Sequence, residues 1–132
     1  MIGLDTNVLV RYATQDDRLQ AALAERVISS LTADRPGFVS QIALVECVWV
    51  LRRLFEGDDE SISTFVTYLL DAREIVVEHS DRVRTALSAT RGGAEFTDAL
   101  LALAGTAAGC DHTVTFDRRA ARVGGMRLVT SR

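Results

Sequence analysis

Four carboxylates stand at the edges of apolar elements, far apart along the chain. Asp5 follows Met1-Ile2-Gly3-Leu4, and Asp117 follows Thr113-Val114-Thr115-Phe116. Asp98 opens the stretch Ala99-Leu100-Leu101-Ala102-Leu103-Ala104, and Glu46 lies inside the apolar run from Ile42 to Leu51. At helical spacing the neighbours of Glu46 are Ile42, Ala43, Trp49 and Val50, all apolar. A carboxylate buried on such a face needs a cation or a proton, because burying it bare costs several kcal/mol. Two acids at strand ends and two on helices can converge if the strands run parallel. The expected chemistry is a shared site for a cation held by carboxylate oxygens.

The elements that must position these acids alternate between strand and helix. Residues 1–4 read as a buried first strand. Asp16 to Leu31 reads as an amphipathic helix with Leu19, Leu23, Val27 and Leu31 on its apolar face. Pro36-Gly37 breaks the chain before a short strand at Phe38-Val39, and Ser40 can cap the helix that carries Glu46. After the polar turn Glu56-Gly57-Asp58-Asp59, a helical stripe runs through Ile62, Phe65, Val66, Leu69 and Leu70. Ile75-Val76-Val77 is a β-branched strand, and Ser80 can cap a helix holding Val83 and Leu87. Gly92-Gly93 ends that helix. The next spans Glu95 to Ala108, with Gly109 suited to its C-terminal cap. Thr113-Val114-Thr115 is a strand, Arg118 to Val123 a short helix and Arg127-Leu128-Val129 a last strand. Strands separated by helices imply a parallel sheet covered on both faces, in a single domain over residues 1–132. Ligands of such sheets bind beyond the carboxyl ends of the strands, the edge where Asp5 and Asp117 fall.

Composition narrows the class. The chain has 132 residues, 48% apolar and 25% charged, with a net charge of −3, which is ordinary for a soluble domain and excludes a broadly basic nucleic-acid binder. No apolar run approaches a membrane span, and the N-terminus lacks the basic and apolar segments of a signal peptide. Cys47 and Cys110 alone make no disulfide framework. Both read as small buried hydrophobes, so a reducing cytoplasm is the expected location. All 15 basic residues are Arg, so no mechanism that needs lysine is open to this chain. His79 and His112 lie far apart, and there is no zinc-ligand spacing, P-loop, Gly-x-Gly-x-x-Gly or Gly-x-Ser-x-Gly.

Asp5-Thr6-Asn7-Val8-Leu9-Val10, Glu46 in its apolar helix, Thr97-Asp98-Ala99-Leu100 and Thr115-Phe116-Asp117 together resemble the motifs of PIN-domain ribonucleases. They are most similar to those of toxins of the VapC type from toxin–antitoxin pairs. The resemblance runs from Ile2 to Val129, with successive acids spaced by 41, 52 and 19 positions, and Gly109-Cys110 fits it too. It implies a PIN-like α/β fold with a central five-stranded parallel sheet flanked by helices on both faces. It implies endoribonuclease activity that depends on Mg²⁺ or Mn²⁺. Asp5, Glu46, Asp98 and Asp117 would be the catalytic and metal-binding acids, with Asp5 and Asp98 as direct ligands. The implied partners are RNA, a cognate antitoxin protein and a second copy in a homodimer. Mg²⁺ suits such a set, since it prefers oxygen, keeps several waters and needs only one or two carboxylates beside substrate phosphate. One bound ion activates water and neutralises phosphate charge; two clamp both the attacking and the leaving oxygen.

Each acid also has a purely structural role open to it. Asp5 and Asp117 can cap helices, Asp98 can sit in a first turn favoured by the helix dipole, and Glu46 can pair with an Arg. The four occurring together favours the metal site. Thr6, Asn7 and Thr115 can bond the acids, the phosphate or their own turns. Arg11, Arg118, Arg119 and Arg122 can hold phosphates or form a solvated face. Trp49 and Phe65 can stack bases, but their helical stripes point to core packing. Two other readings compete: a receiver-like phosphoacceptor module, whose family carries a lysine absent here, and a PIN-like scaffold that binds RNA without cutting it.

Overall fold

Short polar side chains start the helices. In the computed structural model, which describes residues 1–54 and 56–131, Asp17 accepts a hydrogen bond from the Gln20 N–H at 3.0 Å and Asp58 from the Ser61 N–H at 2.7 Å. Ser40 accepts from the Ala43 N–H at 3.1 Å, as its position before the Glu46 helix predicts. Each bond satisfies one of the N–H groups a helix start leaves open.

The chain divides after Ser80 into two compact units. The first holds β1 (Ile2–Gly3), α1 (Thr6–Thr14), α2 (Arg18–Ser29), β2 (Gly37–Val39), α3 (Gln41–Leu54), α4 (Asp59–Asp71) and β3 (Ile75–Val77). Its strands are parallel in the order β1-β2-β3, with Gly3 opposite Phe38 and Phe38 opposite Val76. Leu9, Val39, Leu44, Cys47, Val48, Val66 and Leu69 are buried in its core. The expected buried first strand is corrected in part. β1 lies at the edge of this ladder and Ile2 is half exposed, whereas Leu4 just after it is buried.

The second unit begins with α5 (Ser80–Arg91) and continues through α6 (Phe96–Ala107), β4 (Thr113–Thr115), a 3-10 turn (Ala120–Arg122) and β5 (Met126–Leu128). β4 and β5 pair in parallel, with Val114 opposite Arg127. Ser80 is the first residue of α5 rather than a cap outside it. Gly109 has φ of +96° and closes α6 as expected: its N–H reaches the Thr106 carbonyl and the Cys110 N–H reaches that of Gly105. This pair of bonds is a Schellman motif, which favours glycine because its backbone is left-handed. Gly105 is constrained by space instead. A Cβ there would lie 2.5 Å from the Thr113 hydroxyl, so a bare backbone lets α6 approach β4.

The architecture is α/β, with six α-helices and parallel strands among the described residues. The hydrogen bonding makes a three-stranded and a two-stranded ladder, not the continuous five-stranded sheet that was expected. β1 is only two residues long and offers few ladder bonds beyond those to β2. Among the described residues no helix is long and apolar enough to cross a membrane.

The apolar stripe of α2 faces differently from the sequence reading. In α2 the buried side is Ala21, Ala24 and Ile28, while Leu19 and Leu23 are exposed. Small side chains let α2 pack closely on α1, and the leucines are left outside. Cys110 is exposed, against the expectation of burial. Cys47 is buried, and burial pushes its thiol up to about 12, which makes it inert.

Candidate active site

In the first unit Asp5 sits at the junction of β1 and α1 and is the N-cap of α1. Its Oδ1 accepts a 2.7 Å bond from the Thr6 N–H, and Oδ2 accepts none among the described residues. Thr6, the first residue of α1, donates its hydroxyl to Glu46 Oε2 at 3.2 Å. Asp5, Thr6, Asn7, Glu46, Val50 and Leu54 line one cavity of about 400 Å³. The sequence-predicted neighbours Asp5, Thr6, Asn7 and Glu46 are therefore together.

The burial expected of Glu46 is corrected. α3 buries Ala43, Leu44, Cys47, Val48 and Leu51, whereas Glu46, Ile42 and Trp49 are exposed. An apolar run is not the same as an apolar environment: the helix has more apolar residues than its buried stripe can hold. Glu46 thus needs no cation to offset desolvation, and its case as a ligand rests on its place beside Asp5 and Thr6. Trp49 is likewise not core. It is 55% exposed, with the Arg53 guanidinium 5.4 Å from its ring centroid. Phe65 is half-buried. Arg11 also lines the cavity of Asp5 and Glu46, with part of its guanidinium engaged in structure. It binds both Asp16 carboxylate oxygens at 3.0 Å and the Gln20 side-chain oxygen at 2.7 Å.

In the second unit Glu95 is the N-cap of α6 and accepts from the Asp98 N–H at 3.0 Å. Asp98 is half-buried, and its carboxyl is held above the ordinary 3.8. Burial is the main cause, followed by the charges of Glu95 and Asp117, while the Arg119 guanidinium opposes them. Asp117 Oδ1 accepts from the Arg119 N–H at 2.8 Å and the Ala120 N–H at 3.4 Å, so it starts the 3-10 turn. Thr115 accepts from the Asp117 N–H at 3.0 Å through its hydroxyl, a local turn bond. A cavity of about 360 Å³ is lined by Glu95, Asp98, Arg119 and Arg122, with Gly92 and Gly93 in its wall. Asp117 and Arg118 are not among its lining residues, and Arg118 is exposed.

The four acids are thus accounted for in pairs, Asp5 with Glu46 and Asp98 with Asp117. Among the described residues no group of three or more His, Cys, Asp or Glu side chains is placed to hold a metal ion. The donor set of each unit nonetheless suits a hard cation. Both cavities carry two carboxylates, the first also Thr6 and Asn7, with no thiol and no imidazole on their walls. A nearby cation would also offset the burial and the neighbouring charges that raise Asp98.

The raised Asp98 carboxyl has a consequence for stability. The folded Asp98 carboxyl holds its proton more tightly than the unfolded chain does, so ionising it costs stability. The cost is absent while Asp98 is protonated in both states. It appears as pH rises through 3.8 and is complete above the folded value. In EDTA at pH 7, Asp98→Asn should therefore melt slightly higher than wild type. Melting curves repeated below pH 3.8 should show that advantage gone. A variant that melts lower at pH 7 would make Asp98 a structural partner.

The family model of the PIN domain matches residues 2–126. The chain belongs to the PIN domain family, whose members are generally nucleases. No curated protein matches it.

Proposed function

We propose that the chain is one PIN domain acting as a divalent-metal-dependent endoribonuclease, and that it is the VapC-type toxin of a toxin–antitoxin pair in the cytoplasm. The observation that carries the reading is membership of a nuclease family over residues 2–126, with an acid at each of the four motif positions. The match spans both compact units, which supports treating them as parts of one domain. It also supports the five-stranded sheet as the family's arrangement of these strands. A receiver-like role gains no support from that membership, and a non-cutting scaffold would have no need of the complete acidic set.

Asp5, Glu46, Asp98 and Asp117 would hold Mg²⁺ or Mn²⁺. The bound ion would make water a stronger nucleophile and neutralise charge on the scissile phosphate. The chain's own residues prepare for that. Thr6 fixes Glu46 through its hydroxyl, and Asp5 is oriented by the Thr6 N–H. Glu95 fixes the first turn that carries Asp98, and the 3-10 turn fixes Asp117. Pre-set side chains lose little freedom when substrate arrives.

Cleavage of a 5′-labelled RNA that requires Mg²⁺ and stops in EDTA tests the reading, and no cleavage under either condition would reject it. Metal binding has its own signature. At Mg²⁺ about tenfold above its dissociation constant, linkage contributes roughly 1.4 kcal/mol. The melting temperature should rise by on the order of 3–5 °C over NaCl of matched ionic strength. Equal shifts in the two salts would remove the metal site.

A further inference from the structure

The cavity of the second unit carries charges of both signs, and the acids explain only one of them. Arg119 and Arg122 line it together with Glu95 and Asp98. Neither arginine forms an ion pair among the described residues. Their geometry comes from the backbone. Asp117 Oδ1 takes the Arg119 N–H, and the Arg122 N–H closes on the Arg119 carbonyl at 3.1 Å. Residues three apart in a 3-10 turn eclipse one another, so both guanidinium groups rise from one face. Arg118, one residue out of step, falls off that face.

The opposite wall is the Gly92-Gly93 turn. Its backbone gives an anion nothing to bind: the Gly92 N–H is spent on Ala89, that of Gly93 on Thr90 and that of Ala94 on Ala89. The charged donors that line this cavity are Arg119 and Arg122. Planar guanidinium forks suit phosphate oxygens, and a space of about 360 Å³ is in the range that takes a nucleotide-sized ligand.

We infer that Arg119 and Arg122 hold a backbone phosphate of single-stranded RNA in this cavity, beside Asp98, and so set the position of the strand to be cut. The inference rests on the nuclease reading. It assigns substrate positioning to Arg119 and Arg122 rather than to Arg118, which does not line this cavity.

The test is binding of a short fluorescein-labelled single-stranded RNA by the full chain in EDTA, as a function of salt, with cleavage rates measured separately in Mg²⁺. Arg119→Gln with Arg122→Gln should weaken binding at least about tenfold and lower the slope of log Kd against log salt by roughly 0.7 for each phosphate charge the protein no longer neutralises. Arg119→Lys with Arg122→Lys should keep the wild-type slope but only part of the affinity, since the charges remain without the forks. Arg73→Gln, in the other unit, removes the same charge and should leave the slope at the wild-type value. In Mg²⁺ the variant with Arg119→Gln and Arg122→Gln should raise KM more than it lowers kcat. If that variant binds RNA like Arg73→Gln, the inference is overturned, even if wild type cleaves. A wild type that shows the expected salt dependence but never cleaves sinks the nuclease reading and leaves the phosphate site standing.

Discussion

Replacing Asp5 or Asp98 by Asn should stop RNA cleavage while leaving the fold intact. The expected loss in rate is on the order of 10³-fold or more, corresponding to about 4 kcal/mol of charge stabilisation withdrawn from the transition state. Asn is the informative replacement because it removes the charge while keeping the shape of the side chain and, at the acids that cap a turn, the acceptor oxygen. Asp5 accepts from the Thr6 N–H and Asp117 from the Arg119 N–H, and an amide oxygen can accept both bonds. Glu46→Gln likewise keeps an acceptor for the Thr6 hydroxyl. Charge is thereby separated from capping, whereas Ala would remove both and cost roughly 1 kcal/mol of helix stability. The double variant Asp5→Asn with Asp98→Asn carries a further expectation. Residues that serve one chemical step are strongly non-additive, so it should be no slower than the slower single variant. Initial rates on labelled RNA and melting curves in EDTA measure both quantities. Variants that unfold make the acids structural. Losses that multiply give the two pairs separate roles.

Much of this site is legible in the sequence because its positions are punctuation. Asp5 and Asp117 each follow a strand, and the structure uses Asp5 as the cap of α1 and Asp117 to start the 3-10 turn, the structural roles that the sequence left open to them. Gly109 marks the end of α6 through the backbone conformation that glycine adopts most readily. Facing is less legible. Leu19 and Leu23 have the spacing of a core stripe, yet Ala21 and Ala24 take the buried side, because close helix packing selects small residues as readily as large ones. Glu46 shows the same limit from the other direction. Its neighbours are apolar in sequence, but Ile42 and Trp49 are exposed with it. Periodicity identifies a helix, and only the partner elements decide which stripe is covered. The separation of Arg119 and Arg122 from Arg118 depends on the turn being 3-10 rather than α-helical, which the run Asp117-Arg118-Arg119 does not state.

Expression of the wild-type protein should arrest growth, and Asp98→Asn at the same protein level should not. An RNase that cuts essential RNA at even a modest turnover depletes it faster than synthesis replaces it, so the contrast should be complete rather than graded. A small protein encoded beside the gene should restore growth by forming a stable complex. That partner must exclude metal or RNA, and an Arg or Lys presented to Asp5, Glu46, Asp98 or Asp117 would substitute for the metal's charge. It also needs an apolar anchor. α3 displays Ile42, Trp49 and Leu54, exposed by 75%, 55% and 68%, on the side that carries Glu46. α2 displays Leu19 and Leu23. An amphipathic partner helix laid along such a face buries apolar area and can block the neighbouring acid in the same step. Trp49→Glu should therefore weaken rescue by the partner while leaving toxicity in place. Growth curves after induction, with and without the partner, measure all three outcomes. If wild type and Asp98→Asn are equally harmless at equal levels, the toxin assignment fails. Cleavage of RNA by the purified protein would then decide whether a PIN nuclease of another role remains.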